Sequence, residues 1–189
     1  APVHFSNLVQ TGMILYPIIW TARVILEQPR IHNHRHANGQ TYLEIANHLV
    51  VRVKESVDEF EDPQWYDSLE DLYRFPTASE FGAIVSDKYA GKYKPFNRMF
   101  AMGRALLELS EAYRLQGVSD LQLKYNNRVT RMAQFFRNRL QQEGEGSRAA
   151  YVWTYFPNGE SKIEDVSHGA IDMQFVNVVA KHGIIFTNT

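Results

Sequence analysis

Apolar residues recur at steps of three and four along most of this chain. Residues 40–60 show the pattern best: Leu43, Ala46, Val50, Val53, Val57 and Phe60 share one face, while Glu44, Arg52, Glu55 and Glu59 share the other. That spacing predicts an amphipathic helix whose charged side meets solvent. Residues 6–27 read as a helix with Leu8, Gly12, Leu15, Ile19 and Ile25 inward, bent or restarted near Pro17 and stopped by Pro29. A further helix starts at Asn97 or the residue before it, with Met99, Met102, Leu106, Leu109 and Tyr113 on its stripe and Gly117 at its end. Ser119 then caps a helix carrying Leu121, Tyr125, Val129, Met132, Phe136 and Leu140, which ends in the loop of Gly144 and Gly146.

The remaining segments are less regular. In residues 61–92, Trp65, Leu69, Leu72 and Tyr73 predict a short helix, Pro76 and Thr77 a break, and residues 79–89 another short helix; Gly91 and Pro95 bracket Tyr93 in a loop. Tyr151, Trp153 and Tyr155 alternate, which reads as an extended segment with three rings on one side, ahead of a turn at Pro157, Asn158 and Gly159. Ser167 followed by Ile171, Phe175, Val178 and Val179 marks the last helix, with His168 in its first turn and Glu164 and Asp165 just upstream. About five helices with at most one short strand pair make the fold class all-α, an array of antiparallel helical hairpins in a single domain over residues 1–189.

Glycines refine that picture. Gly12, Gly103 and Gly169 each fall near the start of a helix with few charges, whereas the helices at 40–60 and 119–142 carry polar outward faces. Charged helices belong outside and the glycine-bearing ones inside, and alternating inner and outer helices build a curved stack that closes into an (α/α) toroid. The glycines let another backbone or a substrate approach closely, and at Gly12 helix packing is the preferred reading.

Bulk properties narrow the classes. A chain of 189 residues with 44% hydrophobic and 22% charged content can bury a real core. With 20 basic against 21 acidic residues the net charge is −1, which offers no pull toward nucleic acid or an anionic membrane. Thiol and disulfide chemistry are excluded because cysteine does not occur. The most apolar stretch, residues 13–26, is interrupted by Tyr16, Pro17, Thr21 and Arg23, so no membrane partner is expected. The start lacks the features of a signal peptide, and with the apolar Ile184-Ile185-Phe186 near the end the expectation is a piece of a longer protein. An aromatic content of 13% is high, as in large cores and in carbohydrate-facing proteins.

Candidate chemistry concentrates in residues 151–183. The ring row suits a sugar or a core equally, and a helix mouth beside His168 suits an anion. The same residues also read more plainly, with Asp165 as a helix-end acid and His168 as a hydrogen-bonded structural residue. His32, His34 and His36 alternate in a polar loop without a nearby carboxylate or cysteine and read as solvated surface. No metal site and no cofactor are expected.

PFNRMFAMGRALLEL, the helix ending in MAQFFRNRL, YVWTYF and IEDVSHGAIDMQFV together resemble the C-terminal half of (α/α)-toroid enzymes that process acidic polysaccharides, the alginate and glucuronan lyases of the α/α-barrel kind. The resemblance covers residues 93–186 well and 5–60 only by helix pattern. It implies cleavage of a uronic-acid chain by β-elimination, in which a base removes the C5 proton and an acid protonates the departing O4. It implies His168 and one of Tyr93, Tyr151 and Tyr155 as proton carriers, Asn97 and Arg98 on the substrate carboxylate, Trp153 under a sugar ring, and Glu164 and Asp165 in the substrate site. It further implies secretion or a periplasmic location, an acidic polysaccharide as partner, and the rest of the same toroid supplied by segments beyond this chain.

Three other readings compete. Hydrolysis wants two carboxylates about 5 to 10 Å apart across a cleft, and the adjacent Glu164 and Asp165 point apart, leaving Asp172 or Glu80 as a second acid. A uronate C5-epimerase uses the same proton abstraction as the lyase. A non-catalytic helical-repeat binding module predicts His168, Asn97 and Tyr93 apart or buried, where the enzyme readings predict one shared cleft.

Overall fold

The computed structural model describes residues 7–77, 88–158 and 162–186. They hold five α-helices: α1 (Leu8–Leu26), α2 (Tyr42–Asp58), α3 (Phe96–Gln116), α4 (Ser119–Arg137) and α5 (Val166–Lys181). They also hold two small antiparallel ladders, β1 (Tyr66–Asp67) with β2 (Leu72–Tyr73), and β3 (Gln141–Glu143) with β4 (Ala150–Val152). The expected helical array is therefore present, with two strand pairs where at most one was predicted.

Local chemistry explains the boundaries. The Thr41 hydroxyl accepts from Glu44 N–H while Glu44 answers the Thr41 N–H, a capping box that starts α2. Gly117, at φ 73°, takes the left-handed turn that ends α3 and lets α4 begin two residues later. Ser119 proves to be the first residue inside α4 and makes no capping bond; Val118 occupies the cap. Pro17 does not restart α1, which runs unbroken through it, and the Thr21 hydroxyl donates to the Pro17 carbonyl.

The short helix predicted around Trp65 to Tyr73 is instead the β1–β2 hairpin. Asp67 Oδ1 accepts the Leu69 and Glu70 amides and Asp71 adopts φ 56°, which folds the chain back. The Tyr66 and Tyr73 rings then pair across the strands at 5.5 Å, and Leu69, which a helix would bury, is 85% exposed. Of the helix expected over residues 79–89, residues up to 87 lie outside the described residues, and residues 88–90 form a turn.

Helix α3 is the centre. Sixteen of its 21 residues are buried, and α1, α4 and α5 pack around it, with α2 lying on α1. Gly12 meets Ala101 and Met102, and further along Arg23 pairs with Glu108, so α1 and α3 run in the same direction. Phe100 stacks on Phe175 at 4.3 Å, and Glu111 stands 3.8 Å from His182, so α5 runs that way too. Helix α4 runs oppositely, with Phe136 against Phe100 and the Gln122 carbonyl accepting from Ser110. Near the start of α2, Asn47 bonds Gln116 at the end of α3, so α2 is also reversed. A row of three parallel helices is thus backed by two antiparallel ones.

The predicted apolar stripes are buried as expected: Leu8, Leu15, Ile19 and Ile25 of α1, Ala46, Val50, Val53 and Val57 of α2, and Tyr125, Val129, Met132 and Phe136 of α4. Leu43, Leu121 and Leu140 are only partly buried, and Leu140 lies past the end of α4. By length and composition α1 could cross a membrane, yet here it packs along α3 with Arg23 in an ion pair.

A methyl group on Gly12 would fall inside the backbone of Ala101 and Met102, where nothing flexible can give way. Gly12→Ala is expected to cost about 3 kcal/mol or more. Gly39→Ala, in open space at φ 86°, is expected to cost about 1 kcal/mol. Urea denaturation of the two variants measures the contrast, and equal losses would contradict the close α1–α3 approach.

Candidate functional site

The site is built where strand β4 runs toward the start of α5. Beyond β4 the chain stays extended: the Tyr155 amide donates to the Lys162 carbonyl at 2.9 Å, and the Glu164 amide donates to the Trp153 carbonyl at 2.9 Å. This pairing sets Glu164 and Asp165 beside Trp153. The predicted turn is present at Pro157 and Asn158, and Gly159 lies outside the described residues.

Asp165, and not Ser167, caps α5. Its Oδ1 accepts the Ser167 and His168 amides at 3.1 and 3.0 Å and the Ser167 hydroxyl at 2.6 Å. Its Oδ2 lies 2.7 Å from His168 Nδ1. These bonds hold the Asp165 carboxyl well below the usual carboxylate range, the Ser167 hydroxyl contributing most. The helix mouth expected to receive an anion is therefore filled by the protein's own carboxylate. With Nδ1 donating to Asp165, His168 keeps its other ring nitrogen for a second partner, and its side chain is 45% exposed.

Tyr155 faces this imidazole with ring centroids 5.4 Å apart. Burial raises its hydroxyl pKa, against the lowering effect of the nearby Arg98 guanidinium. The Tyr155 carbonyl accepts the Phe96 amide at 3.3 Å, tying the segment to the first residue of α3. Arg98 also lies over the Phe75 ring, 5.8 Å from its centroid. Asn97 is buried, and its Oδ1 has no hydrogen-bond partner.

Trp153 is half-buried. Its Nε1 donates to Asp172 Oδ2 at 2.9 Å, and its ring stands edge-on to Phe136. Gly169 leaves room for the indole, since a Cβ there would come within 3.3 Å of it. Tyr151 is 62% exposed. Together with Trp153 and Met173 it lines two adjoining cavities of about 350 and 370 Å³, the first also walled by Glu164 and Asp165.

Of the residues singled out from the sequence, the structure thus brings together His168, Tyr155, Arg98, Glu164 and Asp165, with Trp153 and Tyr151 on the adjoining wall. Tyr93 is engaged elsewhere: its hydroxyl donates to Asp67 Oδ2 at 3.1 Å in the β1–β2 hairpin, and burial with that bond pushes its pKa up to about 12. Along the ring row, Tyr155 meets His168, while Tyr151 and Trp153 line the cavities.

The sequence reading named Asp172 only as a possible second acid for hydrolysis and missed Lys94. Asp172 is fully buried, and burial, with Glu164 adding to it, raises its pKa to about 8 despite the Trp153 bond. Lys94 is buried over the rings of Trp65 and Phe75, and burial, with Arg98 adding to it, lowers its pKa to about 7. A polar residue one turn after Gly169 on an inner helix was the available signal for Asp172; nothing local marks Lys94.

The histidine loop is dispersed. His32 Nε2 sits 3.0 Å from the Ile25 carbonyl, while His34 and His36 are exposed. Compared with family models, characterised proteins and solved structures, the chain gives no match.

Asp172 supplies a pH test. The folded protein keeps its proton up to about pH 8, while the unfolded chain releases it near the ordinary value of about 4. Between those limits the native state binds more protons than the unfolded one, so stability from this group falls as pH rises. Asp172→Asn preserves the acceptor for Trp153 and removes the slope. In metal-free buffer the variant is expected to gain on the wild type by a few kcal/mol between pH 5 and pH 8 in urea unfolding. Parallel pH profiles would show that Asp172 ionises freely.

Proposed function

We propose that this chain carries the acid–base residues of a polysaccharide lyase acting on uronic-acid polymers, and that its helices are part of an (α/α) toroid completed by others. The observation that carries the reading is the association of His168, held at Nδ1 by Asp165, with Tyr155 and Arg98 at the end where the parallel helices begin.

In this reading His168 takes the C5 proton on its free nitrogen, and Asp165 holds the ring in the tautomer that leaves that nitrogen basic. The electron pair of the broken C5–H bond forms the C4–C5 double bond, the C4–O4 bond breaks, and the departing oxygen takes the proton of Tyr155. A hydroxyl kept protonated by burial suits that role. The C5 proton becomes removable only when the neighbouring carboxylate is neutralised, a task this reading gives to Arg98. Trp153 and Tyr151 offer ring faces to the sugar. An extracellular or periplasmic location follows from such a polymeric substrate.

Incubation with alginate, glucuronan and other uronides is expected to raise the ultraviolet absorbance of the unsaturated uronate. His168→Ala and Tyr155→Phe should each lower kcat by roughly 10²–10⁴-fold, and Tyr93→Phe should leave it nearly unchanged. Reducing ends without absorbance would replace elimination by hydrolysis. Solvent deuterium entering C5 without cleavage would mark an epimerase, and neither signal on any uronide would leave a binding module.

A further inference from the structure

Among the described residues, side chains of metal-ligating type gather at Glu164, Asp165 and His168, whose donor atoms all lie within 4.8 Å of one another. His168 Nδ1 is 2.7 Å from Asp165 Oδ2 and 3.8 Å from Glu164 Oε1. Metal–ligand bonds of about 2.1 Å place neighbouring donors roughly 3.0 Å apart in an octahedron and roughly 3.4 Å apart in a tetrahedron. The Asp165–His168 separation is already shorter than these values and the others are longer, so rotations that move the carboxylate oxygens by up to about an ångström bring all three donors onto one ion.

A second observation points the same way. The Glu164 side chain is only 2% exposed, and its Oε2 is buried with no hydrogen-bond partner. The other oxygen, Oε1, faces His168 Nδ1 and accepts the Asp165 amide at 3.1 Å, so a cation bound by this carboxylate would also answer the buried Oε2. Asp165 can serve the ion without giving up its cap, because Oδ1 makes the bonds to α5 and Oδ2 faces His168.

We propose that Glu164, Asp165 and His168 form a binding site for a divalent transition-metal ion, held through His168 Nδ1 and one oxygen of each acid. One imidazole with two carboxylates favours the zinc and manganese class over magnesium. The site stands on donor spacing and burial; an ion on Nδ1 displaces the proton shared with Asp165 and leaves the hydrogen on Nε2, so a metal-loaded His168 is not the base of the lyase reading.

Calorimetric titration of the full chain with zinc, manganese and magnesium chlorides tests it. One zinc or manganese ion per chain is expected, with magnesium much weaker. Glu164→Gln should weaken zinc binding by roughly 10–100-fold, and so should Asp165→Asn, which retains a capping oxygen. Should either variant unfold, circular dichroism will show it and the other variant decides. The double variant His34→Ala with His36→Ala removes the exposed loop imidazoles and should bind zinc as the wild type does. Zinc binding that survives both acid substitutions, vanishes with the loop histidines, or fails to occur on the folded wild-type chain would overturn the site. Because the readout is heat and not turnover, its failure is separate from a failure of the lyase reading.

Discussion

A helix buried along nearly its whole length must be surrounded, and α3 sets that requirement for the entire chain. Its buried residues include Arg104 and Glu108 as well as the apolar stripe. Burying charge on a central helix is tolerable only with partners in place. Glu108 pairs with Arg23 of α1, and Arg104 reaches Gln174 of α5 while its guanidinium lies over Tyr16. The polar groups of α3 therefore help fix which helices lie beside it.

Close approach follows from the same demand. Gly12 admits the α3 backbone directly, and Gly103 admits Phe175, which stacks on Phe100. With α1 and α5 held so near, the first turns of α3 and α5 come close enough for the segment at residues 153–155 to span them. Tyr155 does so, accepting the Phe96 amide while facing His168. The site is thus a by-product of how the inner row packs.

Much of this was legible in residue order. The stripes at Val50, Val53 and Val57 and at Val129, Met132 and Phe136 were plain because both helices have one wet face, and periodicity reports that contrast directly. The β1–β2 hairpin was not, since Trp65, Leu69, Leu72 and Tyr73 fit a helical spacing by accident, and the turn is made by Asp67 and Asp71, whose roles are conformational. At the site the sequence marked His168, Asp165 and Tyr155. It took Ser167 to start the helix and Asp165 for a helix-end acid, because both side chains can accept an amide and only the backbone at residue 165 decides the cap. Tyr93 was misplaced for a different reason: proximity in sequence to Asn97 and Arg98 says nothing of a hydroxyl that turns toward Asp67.

The common direction of α1, α3 and α5 has an electrostatic outcome. Each helix leaves about half a positive charge at its beginning, and in a parallel row these partial charges add at one end, with α2 and α4 contributing the opposite sign there. Glu164 and Asp165 stand at that end, so the field of the backbone adds to the bonds that keep Asp165 ionised and works against the burial that raises the Glu164 pKa.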